Sequence, residues 1–170
     1  EKVLPENHPD IATSYDNVGS AYGKLGKHDK VFEYKKRALV IWNNELLKNH
    51  TECAAPFHHI GVIYGELKCY RKQLEYFNKA LTIQEKKLSK NHPEIALLYN
   101  NISATYMCLR NYDKALPYML KAASIFEQTV PKNNAQLAKL YSRISKAYAN
   151  LGDEENSEKY LKLYQQYNDQ

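Results

Sequence analysis

Glycine and proline are scarce in this 170-residue chain, with six of each, too few for the turn-rich habit of an all-β protein. No stretch approaches the roughly 18 consecutive apolar residues that a membrane-spanning helix needs. A basic start followed by an apolar core, the mark of a secretory signal, is also missing. Cysteine is confined to Cys53, Cys69 and Cys108, an odd number without metal-type spacing, which points to a reduced, cytoplasmic chain rather than a disulfide framework. The chain has no glycine-rich phosphate loop, no His-Glu-x-x-His, no Gly-x-Ser-x-Gly and no Cys-x-x-Cys. Nothing pairs a nucleophile or base with an orienting partner, so the expectation is a protein that is not an enzyme and needs no cofactor. Disorder is excluded too, because 44% of the residues are hydrophobic and 12% aromatic.

What the chain does have is a segment that returns every 42 residues. Asn7-His8-Pro9-Asp10 reappears 84 residues on as Asn91-His92-Pro93-Glu94, and the slots between and after hold Asn49-His50-Thr51-Glu52 and Asn133-Asn134-Ala135-Gln136. Tyr22, Tyr64, Tyr106 and Tyr148 keep the same spacing, as do Leu25, Leu67, Leu109 and Leu151. A fixed period of this length predicts a solenoid, in which each unit buries its apolar face against its neighbours. Most of the 15 tyrosines fall in the repeat register, which marks them as packing residues whose hydroxyls reach water or a partner.

Each unit reads as two helices. Ile11, Tyr15, Val18, Tyr22 and Leu25 step by four and three residues, one apolar stripe along one helical face. Gly26 suits a left-handed cap, and a longer second helix opens near Asp29 and runs toward Leu47. The pair is predicted again at 52–67 with 71–89, 94–109 with 113–129, and 136–151 with 154–168. Pro9 and Pro93 stand where a helix starts, where the missing N–H costs nothing. The expected division is a repeat tail at 1–9 followed by repeats at 10–49, 50–91, 92–133 and 134–170. Glu1-Lys2-Val3-Leu4 matches Glu85-Lys86-Lys87-Leu88, so the chain is expected to be a piece of a longer array.

Two departures from the period stand out. Pro56 falls several residues into an expected helix, where it would remove a hydrogen bond, so that helix is expected to start late or kink. In the last unit Tyr164 replaces Ala38, Ala80 and Ala122, and Ser157 and Glu158 are more polar than their counterparts, as the outer face of a terminal unit requires.

Tyr15-Asp16-Asn17-Val18-Gly19-Ser20-Ala21-Tyr22, Leu25-Gly26 and Ala38 resemble the tetratricopeptide repeat, and Leu98 to Tyr106 with Asn111 to Leu116 match more closely still. The 42-residue period, the Leu-x-x-Asn-His-Pro linkers and the paired Asn100-Asn101 are similar to the kinesin-light-chain type of repeat. The resemblance implies an all-α, right-handed superhelical solenoid of about four antiparallel hairpins whose inner groove is lined by the first helix of each pair. Carried over, the groove side includes Thr13, Asp16, Asn17 and Ser20, then Ala55, His58, His59 and Val62. It continues with Leu97, Asn100, Asn101 and Ala104, then Lys139, Ser142, Arg143 and Lys146. The implied function is a protein-protein interaction scaffold, as in cargo- or adaptor-binding domains of this family. An accessory array of a larger enzyme or signalling protein and an RNA-binding helical repeat are the alternatives.

Lys139, Arg143 and Lys146 share one helical face, and no acidic residue lies three or four positions away on that helix. Members of the family that grip a partner's C-terminal carboxylate use Lys and Arg on one first helix and Asn one repeat earlier, positions held here by Lys139, Arg143 and Asn101. The two remaining positions hold His58 and Val62 instead of Lys and Asn. Such a site favours an acidic peptide, because Arg grips a carboxylate with two parallel hydrogen bonds. Val62, Leu97, Ala104 and Met107 are expected to floor the groove. His58 and His59 point about 100° apart as helical neighbours and with Cys53 do not make a metal site; their protonation near neutral pH is expected to tune affinity. Trp42 is expected to pack on the next repeat. Aromatics at packing positions argue against stacked bases, despite a net charge of +5, so nucleic acid is an unfavoured partner. Asn49-His50-Thr51 and Asn101-Ile102-Ser103 match the glycosylation triplet, but neither is expected to be used. Self-association through open array ends is a further possibility.

Overall fold

The structure is a computed structural model, and it describes residues 8–48, 54–129 and 135–168. Within them lie eight helices in four antiparallel pairs: α1 (Pro9–Lys24) with α2 (His28–Lys48), α3 (Ala54–Glu66) with α4 (Tyr70–Lys87), α5 (Pro93–Cys108) with α6 (Tyr112–Thr129), and α7 (Ala135–Asn150) with α8 (Glu154–Asn168). The all-α solenoid expected from the period is the fold observed.

The helix starts follow from local chemistry. Pro9 and Pro93 are the first residues of α1 and α5, and the His8 and His92 rings accept from the backbone N–H of Asp10 and Glu94, both at 3.2 Å. Helix α3 is described from Ala54, with Pro56 its third described residue, and the expected late start falls on residues that lie outside the described ones. The Asn49 triplet, Cys53 and the leading residues 1–7 lie outside the described residues.

Each hairpin turns in the same way. Gly26, Lys68, Arg110 and Gly152, one per unit, have φ of 68°, 56°, 55° and 80°. The next residue then donates back to the carbonyl of Tyr22, Tyr64, Tyr106 or Tyr148 at 2.8 to 3.1 Å. Glycine makes this cap without strain; Lys68 and Arg110 adopt it at a cost that the closing hydrogen bond offsets. The periodic glycine is thus replaced in the middle units while the backbone conformation stays.

The tyrosines pack the hairpins. Tyr22–Tyr34, Tyr64–Tyr76, Tyr106–Tyr118 and Tyr148–Tyr160 stack in parallel fashion with centroids 5.4, 5.4, 5.9 and 5.7 Å apart. Between units, the Tyr99 hydroxyl donates to Glu85 and the Tyr141 hydroxyl to Glu127, each at 2.7 Å. Burial together with the adjacent carboxylate pushes both phenols far up, so they remain protonated donors.

Fully buried alanines set helix spacing: Ala38, Ala80 and Ala122 are each 0% exposed. Trp42, 1% exposed, stacks on His59 of the next unit at 5.1 Å, as its position on the second helix led one to expect. In α3, a Cβ on Gly61 would lie 2.6 Å from the Phe77 ring, so only glycine admits that ring at the hairpin interface. Helix α8 holds no buried residue.

Candidate functional site

The first helices of the four pairs present their polar sides to one another in a regular staircase. An Asp16 carboxylate oxygen lies 3.7 Å from His59 Nδ1, His58 Nε2 lies 3.0 Å from Asn101 Nδ2, and Arg143 Nη2 donates to Asn100 Oδ1. Each link joins one position of a first helix to the residue 43 further on, so the same geometry is filled by three different chemistries. The two adjacent histidines therefore face opposite neighbours, and their rings stand edge to face at 75°.

Arg143 and Lys139 line a hollow of about 500 Å³ with Asn100, Gln136, Ser142 and Tyr164. Burial pushes the Arg143 guanidinium below the ordinary arginine value, but an arginine keeps its proton. Its partner in the staircase is the neutral Asn100, and neither Arg143 nor Lys139 has a carboxylate within ion-pair distance among the described residues. A hydrogen bond to an amide oxygen orients the charge without cancelling it. The result is a cationic hollow held in place by its own scaffold.

The middle of the groove is less charged. His58, His59, Ala54, Leu97 and Leu98 line a hollow of about 270 Å³ with Gln84 and Glu94. Val62, Asn101, Ala104 and Cys108 line the next, of about 390 Å³, with Glu66 and Phe77 among its walls. Leu97 is 41% exposed, an apolar surface open to a ligand. Burial, reinforced by the neighbouring His59, lowers the His58 imidazole below its usual value. Its contact with Asn101 belongs to the staircase. Asn17 and Lys146 are exposed on α1 and α7 but line none of these hollows, and Met107 packs against the core instead of flooring the groove.

Sequence reasoning missed the most heavily charged contact. Lys35 on α2 is 3% exposed, and its Nζ donates to Asp16 at 2.8 Å and Ser20 at 2.9 Å and pairs with Glu66 of the next unit at 3.2 Å. A signal was available: in the repeat register Lys35 stands where Phe77, Met119 and Leu161 stand. The glycine at Gly19 leaves it a path, since a Cβ there would meet the Lys35 side chain at 2.9 Å. Burial works to raise the Asp16 carboxyl, but the neighbouring His59 and the hydrogen-bonded Lys35 ammonium outweigh it and hold the group below the usual aspartate value.

Among the described residues, no helix is long and apolar enough to cross a membrane. Family models described as tetratricopeptide repeat match residues 10–86, 52–128 and 138–170. No curated protein matches the chain. Among solved structures, the putative kinesin light chain TPR-like repeats of Podosopora anserina are 18% identical over 97% of this chain and 78% of that one, with a TM-score of 0.73. BtubC (BKLC) from P. vanneervenii is 19% identical over 94% of this chain and 64% of its own, with a TM-score of 0.77. The apo form of RapI is 21% identical over 99% of this chain and 58% of its own, with a TM-score of 0.75. Identities this low speak to the fold alone.

Proposed function

Since this chain belongs to the tetratricopeptide repeat family, we propose that it is a non-catalytic scaffold that holds an acidic segment of a partner protein along the groove of α1, α3, α5 and α7. The observation that carries the reading is the partly buried Arg143, which is oriented by Asn100 and lies beside Lys139, with no carboxylate among the described residues to neutralise either. Removing a charge from water is costly, and a fold that keeps two cations together in a hollow gains when an anion arrives. The apolar surface at Leu97, Val62 and Ala104 supplies the sequence-tolerant part of the contact. Specificity then comes from charge at the fourth repeat and affinity from the apolar middle.

The test is retention of peptide libraries by the immobilised chain, with acidic, neutral and basic residues fixed at alternate positions. The acidic library is expected to be retained most, with retention falling steeply as salt rises. Equal retention of acidic and basic libraries would contradict the reading.

A further inference from the structure

The hollow at the fourth repeat has more donors than a carboxylate can use. We propose that it takes the phosphate of a phosphorylated side chain on the partner protein, a specification that rests on the groove reading above. Two cations, Lys139 and Arg143, line the hollow, and no carboxylate does. Ser142 and Tyr164 add two hydroxyls that have no hydrogen-bond partner among the described residues. Elsewhere on the first helices Ser14, Ser20 and Ser103 turn their hydroxyls back onto the carbonyls of Asp10, Asp16 and Asn100, at 2.8, 3.0 and 2.8 Å. Ser142 is left open to a ligand.

Tyr164 is the residue that sets this hollow apart. The corresponding Ala38, Ala80 and Ala122 are fully buried and carry no polar group, whereas Tyr164 is half-buried and brings a phenol to the wall of the hollow beside Arg143. The first-helix positions of Lys139 and Arg143 hold Thr13 and Asn17, Ala55 and His59, and Leu97 and Asn101 in the other units, so only the fourth combines two cations with two hydroxyls. A carboxylate brings one negative charge and two oxygens. A phosphorylated serine brings a charge of about −1.5 to −2 and three acceptor oxygens, which matches two cations and two hydroxyls. A volume of about 500 Å³ accommodates that group with the backbone that bears it. The adjoining groove, with Leu97 exposed, takes flanking residues, which favours a phosphopeptide over a free phosphate.

The experiment compares three libraries that share mixed flanking positions and fix phosphoserine, glutamate or serine at the centre. Binding is read by fluorescence anisotropy to the full chain and to Tyr164→Phe and Lys139→Ala, whose folding is checked by circular dichroism. The phosphoserine library is expected to bind about tenfold more tightly than the glutamate library, the value of one charge-assisted hydrogen bond. Tyr164→Phe should shrink that ratio, and Lys139→Ala should weaken binding of both libraries. Equal binding of the phosphoserine and glutamate libraries, or a ratio indifferent to Tyr164→Phe, would overturn the phosphate assignment and leave the acidic-groove reading standing. Inorganic phosphate that competes at the same concentration as the phosphoserine library would overturn the protein-partner assignment. Failure of every library to bind would sink the groove reading as well.

Discussion

Asp16→Ala is expected to destabilise the chain by about 3 kcal/mol, because it leaves the buried Lys35 ammonium with only the half-exposed Glu66 and the neutral Ser20 hydroxyl. For a chain of this size that is a fall in Tm of about 10 °C in thermal denaturation followed by circular dichroism. The loss belongs to the unpaired charge, not to the contact as such. Adding Lys35→Met to the same variant, with the residue that Met119 supplies in the third unit, should therefore recover most of it. The network also sets an acid limit. Asp16 has a folded-state value below its unfolded one, so its contribution is fully present above about pH 4 and is lost as the pH falls through the depressed folded value. The stability gap between the wild type and Asp16→Ala should accordingly close on acidification. A Tm of Asp16→Ala equal to that of the wild type at neutral pH would remove the network from the account.

The second large effect concerns binding. Lys139→Glu with Arg143→Glu is expected to abolish retention of acidic peptides, a loss of at least about a hundredfold, since two charge-assisted contacts of about 1.5 kcal/mol or more each become repulsions. Helical content should stay intact. Arg143 also bridges α5 and α7 through Asn100, so a modest drop in Tm is expected with it. The single variant Lys139→Glu separates the two effects: Lys139 is exposed and has no ion pair among the described residues, so it should lower affinity and leave Tm unchanged.

The architecture was legible because spacing repeats. The four tyrosines of the first helices led directly to the four stacked pairs that close the hairpins, and the His-Pro dipeptides to the helix starts at Pro9 and Pro93. The left-handed turns were legible at Gly26 but not at Lys68 and Arg110, because a periodic backbone conformation outlives the residue that favours it. Lys139 and Arg143 were found as neighbours on one helix face, a local property. Their surroundings were not, because Asn100 and Tyr164 reach the hollow from other helices. The staircase of Asp16–His59, His58–Asn101 and Asn100–Arg143 was hidden for a similar reason: its partners are one period plus one residue apart, and no two links use the same chemistry. Lys35 was missed because a lysine on a helix reads as solvated unless its position is compared with the apolar residues that hold the same register in the other units.

The central claim is that the groove of the first helices, closed at one end by the fourth-repeat hollow, is the binding surface. Backbone amide shift mapping of the isotope-labelled chain with the acidic peptide library tests it most directly. The account predicts perturbations along α3, α5 and α7, strongest near Lys139, Ser142 and Arg143. Perturbations confined to the outward faces of α2, α4 and α6 would contradict it.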